Sequence, residues 1–235
     1  MYILVALWAK VMKKNTCITY HGTDYIRVKN SKLFSFFSKK LIDIGFCVSP
    51  KMVDTVKKFH KKVYYVPNGI DPLIFKNYNK EREKIVLAVG SLKKEKSYKN
   101  LLEAFSIFSK DNPGYKLNIA GEGPLKSEIS ECISELRLND KVSLLGNLNQ
   151  KRLVYEYNKS EIFVLASSTE GFPKVVLEAI FCGCKVISTD VGSVSTFLPE
   201  DYLIPDNSPK KINKYLNKIK KLTDYKIDIL KLRKE

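Results

Sequence analysis

A chain of 235 residues with 44% hydrophobic and 28% charged residues has the apolar content to bury a core, which excludes a disordered or low-complexity polypeptide. Five cysteines (Cys17, Cys47, Cys132, Cys182, Cys184), with C-G-C as the tightest spacing, and only His21 and His60 as histidines exclude a disulfide framework and a zinc pattern, and read as free thiols in a reducing compartment. The formal net charge of +16 is uneven: residues 1–80 carry 15 Lys+Arg against 4 Asp+Glu, residues 81–207 carry 16 against 18, and residues 208–235 carry 10 against 3.

The N-terminal run M-Y-I-L-V-A-L-W-A has no basic residue ahead of it and no small-residue cleavage site, and it is too short to span a bilayer. It predicts a buried first helix. T-C-I-T-Y (16–20), I-G-F-C-V (44–48) and V-Y-Y-V (63–66) follow as strands with helical stretches between them. P-N-G-I-D-P (67–72) then breaks the pattern with turn residues and predicts a domain boundary, with residues 1–70 in front and 71–235 behind.

Behind the boundary, I-V-L-A-V (85–89), K-L-N-I-A (116–120), V-S-L-L (142–145), I-F-V-L-A (162–166) and K-V-I-S-T (185–189) read as strands apolar on both faces. Leu101, Leu102, Phe105 and Phe108 form one helical stripe, and Leu125, Ile129, Ile133 and Leu136 form another. This strand–helix rhythm predicts a doubly wound α/β fold with parallel sheets, which binds ligands beyond the carboxyl ends of its strands.

The stretch T-E-G-F-P-K-V-V-L-E-A (169–179) sits at such an end. Pro173 predicts a helix start, and Gly171 a tight turn with its backbone exposed. The amides of a first helical turn hold a phosphate, with the helix dipole behind them. Glu170 and Glu178 bracket that turn, and ionised carboxylates accept strong hydrogen bonds from sugar hydroxyls. A phosphate flanked by two polyols describes a nucleotide sugar. Each glutamate taken alone reads equally as a solvated residue of a helix terminus.

The E-x7-E spacing around G-F-P, followed by L-E-A-I-F-C-G and V-I-S-T-D-V-G, resembles the retaining glycosyltransferases of the group 1 family, which have the GT-B fold of two Rossmann-like lobes. A-V-G-S-L (88–92), I-A-G-E-G-P-L (119–125), V-P-N-G-I-D (66–71) and T-Y-H-G-T-D (19–24) resemble further family motifs in the same order. The resemblance covers nearly the whole chain.

It implies transfer of a sugar, with retention, from a UDP- or GDP-sugar to a hydroxyl of a glycan or lipid-linked acceptor. It implies no cofactor and no metal. Glu178 would hold the ribose, and Glu170 and His21 would lie at the reacting sugar. Gly90, Gly121, Gly171, Phe172, Pro173 and Lys174 would line the donor. Lys96 would grip the diphosphate, with Lys99 as the alternative, because a fixed cation stabilises a departing diphosphate without a metal. Ser91 stands where the family has an arginine, and V-G-S-V-S-T-F-L (191–198) departs from the family's loop.

The family's first lobe is about as large as its second, so the resemblance places roughly half of that lobe outside this sequence. A chain of this kind is expected to bind its donor and transfer it poorly alone. The expected location is cytoplasmic, with the basic ends meeting an anionic membrane at its inner face. The charge alone also suggests a nucleic-acid partner, which no motif supports. The remaining alternative is a non-catalytic nucleotide-sugar-binding remnant.

Overall fold

The computed structural model describes residues 2–21, 30–223, 225 and 227. The chain divides into two compact units, one of Met1–Gly69 with Glu170–Phe172 and one of Ile70–Thr169 with Pro173–Glu235.

The first unit holds helix α1 (Tyr2–Val11), strand β1 (Cys17–Tyr20), α2 (Lys32–Leu41), β2 (Ile44–Cys47), α3 (Pro50–Val56) and β3 (Lys62–Tyr65). Its three strands are parallel in the order β1-β2-β3, with Cys17 opposite Ile44 and Ile44 opposite Lys62. Tyr20, Cys47, Met52 and Val56 form its core. The expected first helix is present but is not buried. Ala6 packs inward, whereas Leu4, Val5, Trp8 and Val11 are 65–75% exposed. A helix apolar all round has more apolar surface than the single neighbour α2 can cover.

The second unit begins with β4 (Glu83–Val89), followed by a 3-10 turn at Lys94–Lys96 and α4 (Tyr98–Asp111). Strand β5 (Lys116–Ala120), α5 (Lys126–Glu135), β6 (Val142–Gly146), α6 (Gln150–Lys159) and β7 (Ser160–Leu165) come next. The unit closes with α7 (Lys174–Phe181), β8 (Lys185–Thr189), β9 (Leu203–Ile204) and α8 (Pro209–Lys220). Six parallel strands lie in the order β6-β5-β4-β7-β8-β9. The chain winds one way from β4 and then returns to its other side at β7. The carboxyl ends of β4 and β7 therefore flank the topological switch point, where open α/β sheets hold ligands.

Alternation along β4 sends Val86 and Ala88 to one face, where they join Leu101, Leu102, Phe105 and Phe108 of α4, Ile129 and Ile133 of α5, and Ile212 and Leu216 of α8 in a single core. On the other face, α6 and α7 pack together over β4 and β7. Tyr157 of α6 stacks on Phe163 and Phe75 there, with ring centroids 5.8 and 6.3 Å apart. A returning helix after residue 227 would lie outside the described residues. Among the described residues no helix is long and apolar enough to cross a membrane.

Candidate active site

Three strand ends build the floor. The Gly90 amide after β4 donates to the Ala120 carbonyl at 3.0 Å, and the Gly121 amide after β5 donates to the Gly146 carbonyl at 2.7 Å. A Cβ on Gly121 would lie 1.9 Å from the Gly90 carbonyl oxygen, and the Gly121 φ of +148° is one that other residues rarely adopt. The two loops pass so closely because neither residue has a side chain. The Tyr98 hydroxyl at the start of α4 fixes the Gly90 carbonyl at 2.9 Å. A cavity of about 380 Å³ opens at this floor, lined by Gly90, Ser91, Gly121, Asn147, Leu148 and Leu153 among others.

Lys96 ends the 3-10 turn and reaches back over the floor. Its Nζ would lie 3.4 Å from a Cβ built on Gly90, and it lines the crevice between Val89 of β4 and Ala166 beyond β7. The turn is tied across the switch point, because the Ser168 amide donates to the Glu95 carbonyl at 2.8 Å. Lys99, the alternative cation, is exposed in the first turn of α4 and lines a different cavity.

The loop from β7 to α7 carries the bracket. Glu170 and Phe172 are half-buried, Pro173 is buried, and Lys174 is exposed. Gly171 is buried and does not have a positive φ, which corrects the expectation of an open glycine turn: the glycine is packed inward. Pro173 caps α7 as expected, and the amides that begin the helix have no acceptor within it. Glu178 lies one turn further on, half-buried. Its Oε2 accepts a 2.9 Å hydrogen bond from the Tyr157 hydroxyl. Burial holds the Glu178 carboxyl above its ordinary pKa, against the opposing effects of that hydrogen bond and of Lys174. Burial also pushes the Tyr157 phenol well up, so it remains a proton donor to the carboxylate.

Leu153 and Tyr157 stand one turn apart on α6, so one helix face provides both a wall of the cavity and the anchor of Glu178. Arg82 fixes the base of this arrangement, donating to the carbonyls of Tyr157 (2.9 Å), Ser160 (2.7 Å) and Cys182 (2.5 Å). Gly90, Lys96 and Gly121 are thus brought together, and Glu178 stands on the helix that starts beyond the neighbouring strand. His21 lies in the first unit, exposed, immediately after β1. Gly22, Thr23 and Asp24 of its motif lie outside the described residues. Among the described residues no group of three or more His, Cys, Asp or Glu side chains is placed to hold a metal ion.

The family model for group 1 glycosyl transferases matches residues 70–231, more than half of the chain. The chain belongs to the group 1 glycosyltransferases. It is 31% identical over 205 residues to a human phosphatidylinositol N-acetylglucosaminyltransferase, covering 83% of this chain and 42% of that protein. It is 42% identical over 110 residues to a Campylobacter jejuni diphospho-undecaprenol 4-alpha-N-acetylgalactosaminyltransferase, covering 46% of this chain and 28% of the relative. This glycosyltransferase therefore spans less than half the length of these relatives. Anabaena HepE, solved with UDP and glucose, superposes with a TM-score of 0.82 at 14% identity, over 94% of this chain and 66% of that one. Sucrose-phosphate synthase from Thermosynechococcus elongatus gives a TM-score of 0.76 at 21% identity, over 92% and 62%. The fold is that of the GT-B glycosyltransferases, as the motif order implies.

The motifs pointed to the glycines, Lys96 and Glu178 but missed Tyr157, Tyr98 and Arg82. The only signal for Tyr157 was its place in the helical pattern after Asn149, whose side chain caps α6 by accepting from the Arg152 amide at 2.9 Å.

Proposed function

We propose that this glycosyltransferase binds a UDP- or GDP-sugar in its second unit and transfers the sugar, with retention, to a hydroxyl of a lipid-linked or polysaccharide acceptor. One observation carries the reading: Glu178, half-buried and oriented by Tyr157, stands one turn into a helix whose open amides begin beyond the strand next to Gly90 and Lys96. The ribose hydroxyls donate to Glu178, and a partly desolvated carboxylate with one fixed partner keeps lone pairs for them. The diphosphate takes the first amides of α7 and the Lys96 ammonium, which offset the charge that grows as the glycosidic bond breaks. The nucleobase occupies the cavity beside Gly121 and Leu153.

His21 and Glu170 are assigned to the reacting sugar on their motifs. Retention proceeds by displacement on one face of the sugar, with the leaving phosphate taking the acceptor's proton. Relatives whose names specify a phosphatidylinositol and a diphospho-undecaprenol acceptor support an acceptor on a lipid. Ser91, uncharged beside Gly90, is the feature that favours the alternative of a binder without turnover.

Calorimetry with UDP, GDP and their sugar conjugates tests donor binding. Product NMR with a polyprenyl-diphosphate glycan acceptor tests transfer and the anomeric outcome. Tight donor binding with neither transfer nor donor hydrolysis would leave the binder. Binding of no nucleotide would reject both readings.

A further inference from the structure

The amino-terminal edge of the first unit's sheet lies opposite the edge that carries His21. Strands β2 and β3 start there, and helices α2 and α3 end there. A cavity of about 440 Å³ at this edge is lined by Lys39, Lys40, Lys57, Lys58 and Lys61, with His60 and Asp43. Lys57 faces Asp54 at 4.0 Å, and Lys40 lies 4.7 Å from the centre of the Phe36 ring. Among the described residues the ammonium groups of Lys39, Lys58 and Lys61 form no ion pair or hydrogen bond. The Asp43 carboxylate is already engaged by Lys10 at 2.6 Å and by the Thr16 amide at 2.8 Å. Lysines are common where helices end, because each end carries about half a negative charge. Two such ends do not require five lysines.

His60 distinguishes this cavity from a solvated lysine patch. The residue is 5% exposed, and its Nε2 meets the Tyr20 hydroxyl at 2.7 Å and the Ser38 hydroxyl at 3.3 Å. Its Cδ2 faces Gly45, where an added Cβ would lie at 2.9 Å. The inner edge of the ring is therefore occupied. Nδ1, on the other edge, is buried without a hydrogen bond of ordinary geometry. When Tyr20 donates to Nε2, the ring's remaining proton sits on Nδ1 as an unmatched donor under the lysines. A buried donor without an acceptor is costly, and an anion's oxygen removes that cost. Burial lowers the His60 pKa, although the Ile42 backbone raises it, so the ring acts as a neutral donor.

We propose that this cavity is a second anion site, in which Lys39, Lys58 and Lys61 hold a phosphate group above the Nδ1 edge of His60. The phosphate belongs either to a soluble phosphorylated molecule or to an anionic lipid headgroup. The proposal does not depend on the donor site.

The chain has two histidines, so imidazole NMR resolves the site directly. Inorganic diphosphate is titrated into the full chain against sodium chloride of equal ionic strength. The His60 signals are expected to shift and saturate. In Lys58→Ala/Lys61→Ala the half-saturating concentration should rise on the order of tenfold, as two phosphate contacts are lost. Lys210→Ala/Lys214→Ala on α8 is the charge-matched control and should titrate like the parent. Sedimentation with phosphatidic acid or phosphatidylcholine vesicles runs in parallel. Vesicle binding that needs Lys58 and Lys61 identifies a lipid headgroup, and a response to free diphosphate alone identifies a soluble ligand. The proposal is overturned if neither probe moves His60, or if the Lys58/Lys61 pair and the α8 control weaken binding equally. Occupancy at Lys96 cannot produce the expected result, since it leaves Lys58 and Lys61 without effect.

Discussion

Glu178 carries a conflict between stability and binding. Its folded pKa is raised, so folding favours the proton and the folded state loses stability as pH rises through that pKa. Glu178→Gln keeps an acceptor for Tyr157 and removes the partly buried charge. It should melt higher than the parent at pH 7, with the gap closing below pH 4, while weakening nucleotide binding by about 1–3 kcal/mol. Paired thermal melts and calorimetry check both signs. Tyr157→Phe leaves the carboxylate without its anchor and should cost about 1 kcal/mol of nucleotide affinity. Gly121→Ala forces its methyl group against the Gly90 carbonyl and should destabilise the second unit by about 2 kcal/mol or more, read from chemical denaturation. The glycines and glutamates were legible in the sequence because their chemistry tolerates few substitutes at a strand end. Tyr157 was not, because an aromatic on the apolar stripe of a helix reads as core, and its ring does pack there.

At the scale of elements, Asp43 joins the end of α1, the start of β1 and the start of β2 through Lys10 and Thr16. The Lys10 hydrogen bond and then the Thr16 amide hold its pKa down, from 3.8 to about 2. A depressed acid contributes stability that is complete above its unfolded pKa and is lost as pH falls through the folded one. Asp43→Asn should therefore lower the melting temperature of the first unit at pH 6, and the difference should shrink between pH 4 and pH 2. The central strands were legible element by element: 116–120 and 185–189 form as read, since buried parallel strands are continuous apolar runs. Helix α6 and the two-residue β9 were not, one for its polar surface and the other because it is shorter than any pattern. Helix α1 was read as buried because an apolar run specifies a helix without specifying what covers it.

Two units with separate cores set the behaviour of the whole molecule. Heating should give two transitions, and a donor nucleotide should raise only the one that belongs to residues 70–235. Nucleotide at one hundred times its dissociation constant stabilises that unit by about 2.7 kcal/mol. Differential scanning calorimetry with and without nucleotide checks this, and an equal rise in both transitions would contradict it. The order of the motifs predicted the two-unit plan because each motif marks a strand end. The face of α1 left to solvent is invisible to such reasoning, which works inward from patterns of burial.

That face has a spectroscopic consequence. Trp8 is the only tryptophan of the chain and is 70% exposed. Its emission in the native protein should resemble that of indole in water, and denaturation should hardly move it. Lys10, Lys13 and Lys14 follow within a helical turn or two, so iodide should quench it more efficiently than caesium does. Tryptophan fluorescence is then a poor gauge of unfolding here. It is instead a reporter of contact: whatever settles on α1, protein or lipid, should shift the emission to the blue and shield the ring from iodide.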